Sequence, residues 1–405
     1  MTKPRPVSAS DLRRFLLDRQ GLWGTFWPEA EATARAVDLA MWQIDSIRIT
    51  GLRNQEIAWA ARSATAPSHF YDLLYGQSAL VETHYPIFAT RRDWLGHISE
   101  SLADPATFRK PITKRLRRVM QEVEDHIRAN GPTGPGSFKS RRIVGGFNTI
   151  KETTRALEVM FAQRKLVVAG RDKNFQRLFD LTERRLPELA VPASPRAKGW
   201  RKTYDEFLVR SALHVLKLAT AEQIAQRTHH HYGPWRPGGG IKRWREHVTR
   251  ALEEGAALAV QAVDLPDRPI YWHLPEDEAG WNAPADAGDM PTRLLAPLDH
   301  LLYSRPRAKE LFDLDYKFEA YTPAHKRRFY FALPVLQGER VVGMVDGKLD
   351  GKTWWLRRLD LAADADAERL GFAIRRFAAL AGAERVGVRA RVPQRVKDAV
   401  RGKVG

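Results

Sequence analysis

Residues 150–187 read IKETTRALEVMFAQRKLVVAGRDKNFQRLFDLTERRLP. Ala156, Leu157, Met160 and Phe161 recur at the spacing of one helix face, and that helix runs into Leu166-Val167-Val168. A second apolar run, Phe175 to Leu181, follows a polar turn. Helix, strand, turn, strand is the layout of a winged helix, a helix-turn-helix elaborated with a β-hairpin.

Outward from this unit, helical stretches closed by strand-like runs recur on both sides. SASDLRRFLLDRQGL (8–22) opens on a serine able to cap a helix and stops at Gly21, and PEAEATARAVDLA (28–40) is a second helix. A basic run from Phe108 ends in a turn-rich break at 131–136. Toward the C-terminus, helical patterns cover 204–228 and 241–253, and Thr220 with Gln223 three residues later forms a capping-box start. From about residue 291 strands and turns take over, with Gln337-Gly338 and Asp350-Gly351 between β-rich runs. One helix, 366–382, precedes a basic end that reads as frayed or DNA-facing. The expected class is α+β. Tandem winged-helix domains occupy 1–110, 111–195 and 196–290, a β-rich domain 291–388, and a basic tail 389–405.

The chain of 405 residues carries 66 Lys+Arg against 48 Asp+Glu, a net charge of +18. Such a charge on an ordinary globular composition argues for a polyanionic partner, since phosphate neutralisation releases counterions. No apolar run approaches the length of a membrane span, and the N-terminus lacks the apolar segment of a signal peptide. With no cysteine, disulfides, iron–sulfur clusters and thiolate zinc sites are excluded. The sequence therefore predicts a cytoplasmic, monomeric nucleic-acid binder without membrane, metal or cofactor.

Within MWQIDSIRIT (41–50), Gln43 and Asp45 interrupt an apolar run. In an extended chain they share one face, while Trp42 and Ile44 share the buried one. Other polar clusters have ordinary explanations beside functional ones. His229, His230 and His231 are adjacent, so they diverge rather than converge on one ion, and they read as a polar loop. Lys326, Arg327 and Arg328, and also Lys139, Arg141 and Arg142, are either solvated charges or phosphate contacts. Glu82 and His84 lie in a short apolar context, either core groups or neighbours of a reacting sugar.

Several stretches coincide with one family. The triplet Gln43-Ile44-Asp45, the opening 8–22, the unit ending LFDLTERRLP, and the long run LLAPLDHLLYSRPRAKELFDLDYKFEAYTPAHKRRFYFALPVLQGERVVGMVDGKLD (294–350) occur in one collinear order. The chain resembles the YcaQ-like DNA glycosylases, relatives of the AlkZ crosslink-repair glycosylases. The resemblance implies tandem winged helices with a C-terminal β-barrel-like domain. It also implies hydrolysis of the glycosidic bond to N7-alkylated guanine in double-stranded DNA, including guanine tethered in an interstrand crosslink. The family's catalytic motif is glutamine, an apolar residue, then glutamine or aspartate, which falls on Gln43 and Asp45. The family's histidine stands further from the glutamate than His84 does from Glu82, so no role is carried onto His84.

An N7-alkylated guanine is cationic and leaves readily. The demanding part is stabilising an oxocarbenium-like sugar and delivering water to it. An ionised Asp45 suits both tasks, and Gln43 can orient the water without adding charge. The alternative from another class is a winged-helix transcription regulator without catalysis. An acidic residue on its DNA-facing surface would cost such a protein affinity. An RNA-directed assembly factor is a third reading.

Overall fold

The computed structural model of the chain describes residues 3–83, 88–97, 112–138, 151–189, 200–232, 240–286, 288, 290–389, 392–401 and 404, with backbone alone at 200–201 and 230–232. They pack as two compact units. One gathers Met1–Phe70, Leu208–His230 and Gly240–Gly405; the other comprises Tyr71–Phe207 and His231–Gly239.

In the second unit, the helix Glu152–Ala162 leads into the antiparallel hairpin Leu166–Arg171 and Arg177–Leu181, with Leu166 opposite Leu181. Ala156, Leu157, Met160 and Phe161 are all buried, as the periodicity requires. They pack with Leu116, Met120, Val123 and Ile127 of the helix Lys114–Asn130 and with Leu166, Phe179 and Leu181 of the hairpin. A shorter antiparallel pair, Leu80–Glu82 with Phe88–Arg91, belongs to the same unit.

The first unit joins sequence-distant segments. Ser8 starts the helix Ala9–Arg19 with a capping box: its hydroxyl accepts from the Asp11 N–H (3.0 Å), and the Asp11 carboxylate accepts from the Ser8 N–H (3.2 Å). The buried face of that helix, Leu12, Phe15, Leu16 and Leu17, shares one core with Val260, Tyr271, Leu295, Leu301, Leu311 and Phe312. Each such side chain, fully buried, stabilises the fold by about 1.5–3 kcal/mol, enough to fix the N-terminal helix on the later segments. The strand Arg5–Val7 adds in parallel to Leu258–Ala262, which pairs antiparallel with Ile270–His273. Thr220 and Gln223 exchange capping-box bonds of 3.2 and 3.3 Å at the start of the helix Ala221–Tyr232. His229–His231 fall on that helix, not in the loop the sequence suggested. Local helix propensity and the cap outweigh the polarity of the run.

The C-terminal segment forms a five-stranded sheet in the order Arg385–Val388, Thr353–Leu361, Arg340–Asp350, Leu333–Gln337, Arg293–Leu294. Its neighbours are antiparallel except the first pair. Among the described residues the sheet has two edges, so it is half a barrel and not a closed one. Both glycine turns foreseen in the sequence are present, with Gly338 and Gly351 at positive φ. One described stretch of the basic end is helical and not frayed. Gln394–Val400 is a helix that buries Val396 and Val400, and it lies so close to the helix Ala367–Leu380 that a Cβ on Gly371 would meet Ala399 O at 2.4 Å. Two valines four apart supply the apolar stripe that the charge count concealed. Among the described residues, no helix is long and apolar enough to cross a membrane.

Candidate active site

The strand containing Gln43 spans only Met41–Gln43, shorter than the alternation suggests. Trp42 and Ile44 are buried while Gln43 and Asp45 are half-buried, as expected. The Trp42 ring packs 5.2 Å from Phe70 and 4.8 Å from His300, and its indole N–H donates to Ala36 O at 2.9 Å. Past Gln43 the chain leaves the strand. The Asp45 Oδ1 accepts from the Ile47 N–H at 2.7 Å, an Asx turn that bends the backbone and leaves Ile47 and Ile49 only half-buried. The two polar side chains thus project from an extended residue and the turn beside it.

Residues far along the chain hold this segment. The Tyr303 hydroxyl accepts from the Gln43 N–H (3.0 Å) and donates to Met41 O (3.1 Å). Asn54 donates from Nδ2 to Gln43 O (2.9 Å) and accepts from the Leu298 N–H (2.9 Å). Gln55 Oε1 accepts from the Asp45 N–H at 3.0 Å. Beneath them, Arg62 and Asp299 form a two-pronged ion pair (2.7 and 2.9 Å) with both side chains at 0% exposure. Burial works to raise the Asp299 carboxyl, but the Arg62 guanidinium holds it below the usual carboxylate range. Arg227 lies 4.4 Å over the Tyr303 ring.

The C-terminal sheet secures the far side of the same loop. The Leu349 N–H donates to Ile49 O, and the Trp354 indole N–H to Thr50 O, each at 3.1 Å. Close approach here demands glycine twice. Gly51 has φ of 89°, and a Cβ on it would lie 2.8 Å from Ala381 Cβ; a Cβ on Gly347 would enter the Trp354 ring at 2.1 Å. Of these supports, the triplet itself signals none. Asp299 and Tyr303 do lie in the long C-terminal stretch that resembled the family.

Burial pushes the Asp45 carboxyl above its ordinary range, and the bond from Ile47 offsets only part of that. Among the described residues no cation forms an ion pair with it. Glu82 is the opposite case. Its side chain has no exposure, and its oxygens accept from Tyr75 Oη (2.6 Å), Arg171 Nε (3.0 Å) and Nη2, and Arg177 Nε (3.2 Å). It therefore ties the hairpin Leu166–Arg171/Arg177–Leu181 to its own strand, and it does not present an open carboxylate. Desolvation favours pairing wherever guanidiniums are at hand. His84, Lys139, Arg141 and Arg142 lie outside the described residues.

Lys326 is exposed and makes no ion pair among the described residues. Arg327 lies 4.5 Å over the Tyr330 ring, and Arg328 is ion-paired with Asp360. These three residues belong to the same unit as Gln43 and Asp45.

The fold defined by these elements is one seen before in a DNA glycosylase. It is similar to the solved structure of Streptomyces sahachiroi DNA glycosylase AlkZ, with a TM-score of 0.59 at 16% sequence identity, over 95% of this chain and 99% of that chain. The chain belongs to the AlkZ-like DNA glycosylase family, whose model matches residues 36–380. It is accordingly a DNA glycosylase of DNA repair, a hydrolase acting on DNA. The matched region includes Gln43, Asp45, Asn54, Gln55 and Tyr303.

Proposed function

We propose that this protein releases N7-alkylated guanine from double-stranded DNA, bulky adducts and interstrand crosslinks included, with Asp45 and Gln43 as its catalytic residues. The observation that carries this reading is the Asp45 carboxylate, half-buried, turned beside Gln43 and without a cationic partner among the described residues. In a protein of net charge +18, an unpaired carboxylate in a partly desolvated position is suited to a cation that arises during reaction. As the bond from C1′ to the base breaks, its electron pair neutralises the positive guanine. The sugar becomes oxocarbenium-like beside Asp45. Water held by Gln43 then bonds to C1′ and gives its proton to Asp45. Water is the nucleophile, so the enzyme is monofunctional and cuts no strand.

In this reading the helix-and-hairpin elements of segments 1–110, 111–195 and 196–290 act as winged helices on the duplex, ahead of the half-barrel of 291–388. Lys326, Arg327 and Arg328, with Lys139, Arg141 and Arg142, bind phosphates. The protein works as a monomer in the cytoplasm, associated with the nucleoid. The test is single-turnover cleavage of one duplex carrying N7-methylguanine, uracil or 8-oxoguanine at the same position, with a nitrogen-mustard crosslink as a fourth substrate. Release of the cationic lesion and of the crosslink, with little action on the uncharged bases, is expected. Equal rates on all would overturn the charge-based mechanism.

A further inference from the structure

Tyr321 is 81% exposed, the most exposed large hydrophobic side chain among the described residues. One exposed aromatic is unremarkable alone. This one stands on a stiff stem. The Thr322 N–H donates to Glu319 O at 2.9 Å, and Pro323 leads into a helical turn, Ala324–Lys326, closed by the Lys326 N–H on Pro323 O at 2.9 Å. One Glu319 oxygen accepts from both the Arg328 and the Phe329 N–H, at 3.0 and 2.9 Å, which shuts the loop at its base. Phe318 braces Tyr321 edge-on with centroids 6.0 Å apart, and itself packs 5.9 Å from buried Phe331. Lys317, His325 and Lys326, within five residues of Tyr321 in the sequence, are exposed.

An exposed aromatic ring on a hydrogen-bonded loop that also carries exposed lysines is the arrangement that stacks on a nucleobase while neighbouring charges hold the phosphates. A loop that merely shielded a sheet edge would need the lysines and not the tyrosine. We infer that Tyr321 stacks on a base left unstacked where the duplex is distorted, with Lys326 engaging the adjoining backbone. The inference rests on duplex DNA being the substrate, and it adds a residue that recognises distortion, separate from the chemistry at Asp45.

The experiment measures dissociation constants of the full chain for a duplex with a tetrahydrofuran abasic analogue and for its undamaged counterpart, so no turnover is needed. Tyr321→Ala should weaken binding to the abasic duplex about tenfold and leave the undamaged one within twofold, as loss of one stacking contact predicts. Tyr321→Phe should bind as the wild type does, and Lys326→Ala should weaken both duplexes alike. A 2-aminopurine beside the abasic site should be quenched by the wild-type protein and by Tyr321→Phe, and be brighter with Tyr321→Ala. Equal affinities for wild type and Tyr321→Ala, or equal losses on both duplexes, would overturn the stacking role and leave the glycosylase reading standing. Failure of the wild type to bind either duplex would remove that reading and this inference together.

Discussion

Replacing Asp45 by asparagine alters charge and little else. The carboxamide oxygen can still accept from the Ile47 N–H, and the bond from the residue's own N–H to Gln55 Oε1 is untouched, so the turn survives. Burial disfavours the ionised carboxyl in the folded protein. Above its raised folded-state value, the wild type therefore carries a cost that the substitution removes, and stability at neutral pH should be equal or slightly greater. The rate should fall. Loss of a positioned base typically costs about 10²–10⁴-fold, or ~3–5 kcal/mol of transition-state stabilisation. Single-turnover excision of N7-methylguanine, run beside urea denaturation of both proteins, separates the two effects. A variant within threefold of the wild-type rate would refute a catalytic Asp45. A rate that fell only in step with a lower urea midpoint would return the residue to a structural role.

In the proposed mechanism the ionised Asp45 carboxylate is the working form, so the rate should drop as pH falls through a midpoint above the ordinary aspartate value of 3.8. A limb at or below that value would contradict the desolvation of the site. Tyr303→Phe deprives the Gln43 N–H and Met41 O of a shared partner. It should cost about 1–3 kcal/mol in urea and slow excision by up to ~100-fold, because the motif loses its register; wild-type values in both assays would rule out that support. In salt titrations of DNA binding, Lys326→Ala should lower the log–log slope by about 0.9, and Arg328→Ala by less, since Asp360 already pairs with it. Equal changes would show that the ion pair opens on DNA.

Much of the architecture is legible in the sequence. The stripe of Ala156, Leu157, Met160 and Phe161, the hairpin after it, and the turns at Gly338 and Gly351 all follow from local periodicity and backbone preference. The alternation at Trp42 to Asp45 gave the right burial for the wrong length of strand, because an Asx bond from Asp45 ends the extended run early. Tyr303, Asn54 and Gln55 were hidden for a different reason: each acts through a hydrogen bond across the fold, and no local pattern marks such a partner. Net charge misled at the C-terminus, where arginines and lysines surround the buried Val396 and Val400.

The bond from Leu349 to Ile49 joins residues that a ribosome makes far apart in time. At about 5–20 residues per second, the roughly 300 residues between them take ~15–60 s to synthesise. During that interval the Gln43–Asp45 segment lacks Tyr303, and the loop after it lacks Trp354, whereas Tyr71–Phe207 already includes the two helices and the hairpin that share the core of the second unit. A nascent chain can therefore build its helix-and-hairpin unit early, yet it cannot fix the Gln43–Asp45 segment until the C-terminal sheet has emerged. Under the proposed function, emergence of the C-terminal sheet, and not the synthesis of the motif itself, sets the moment at which a nascent chain acquires a base-removing activity.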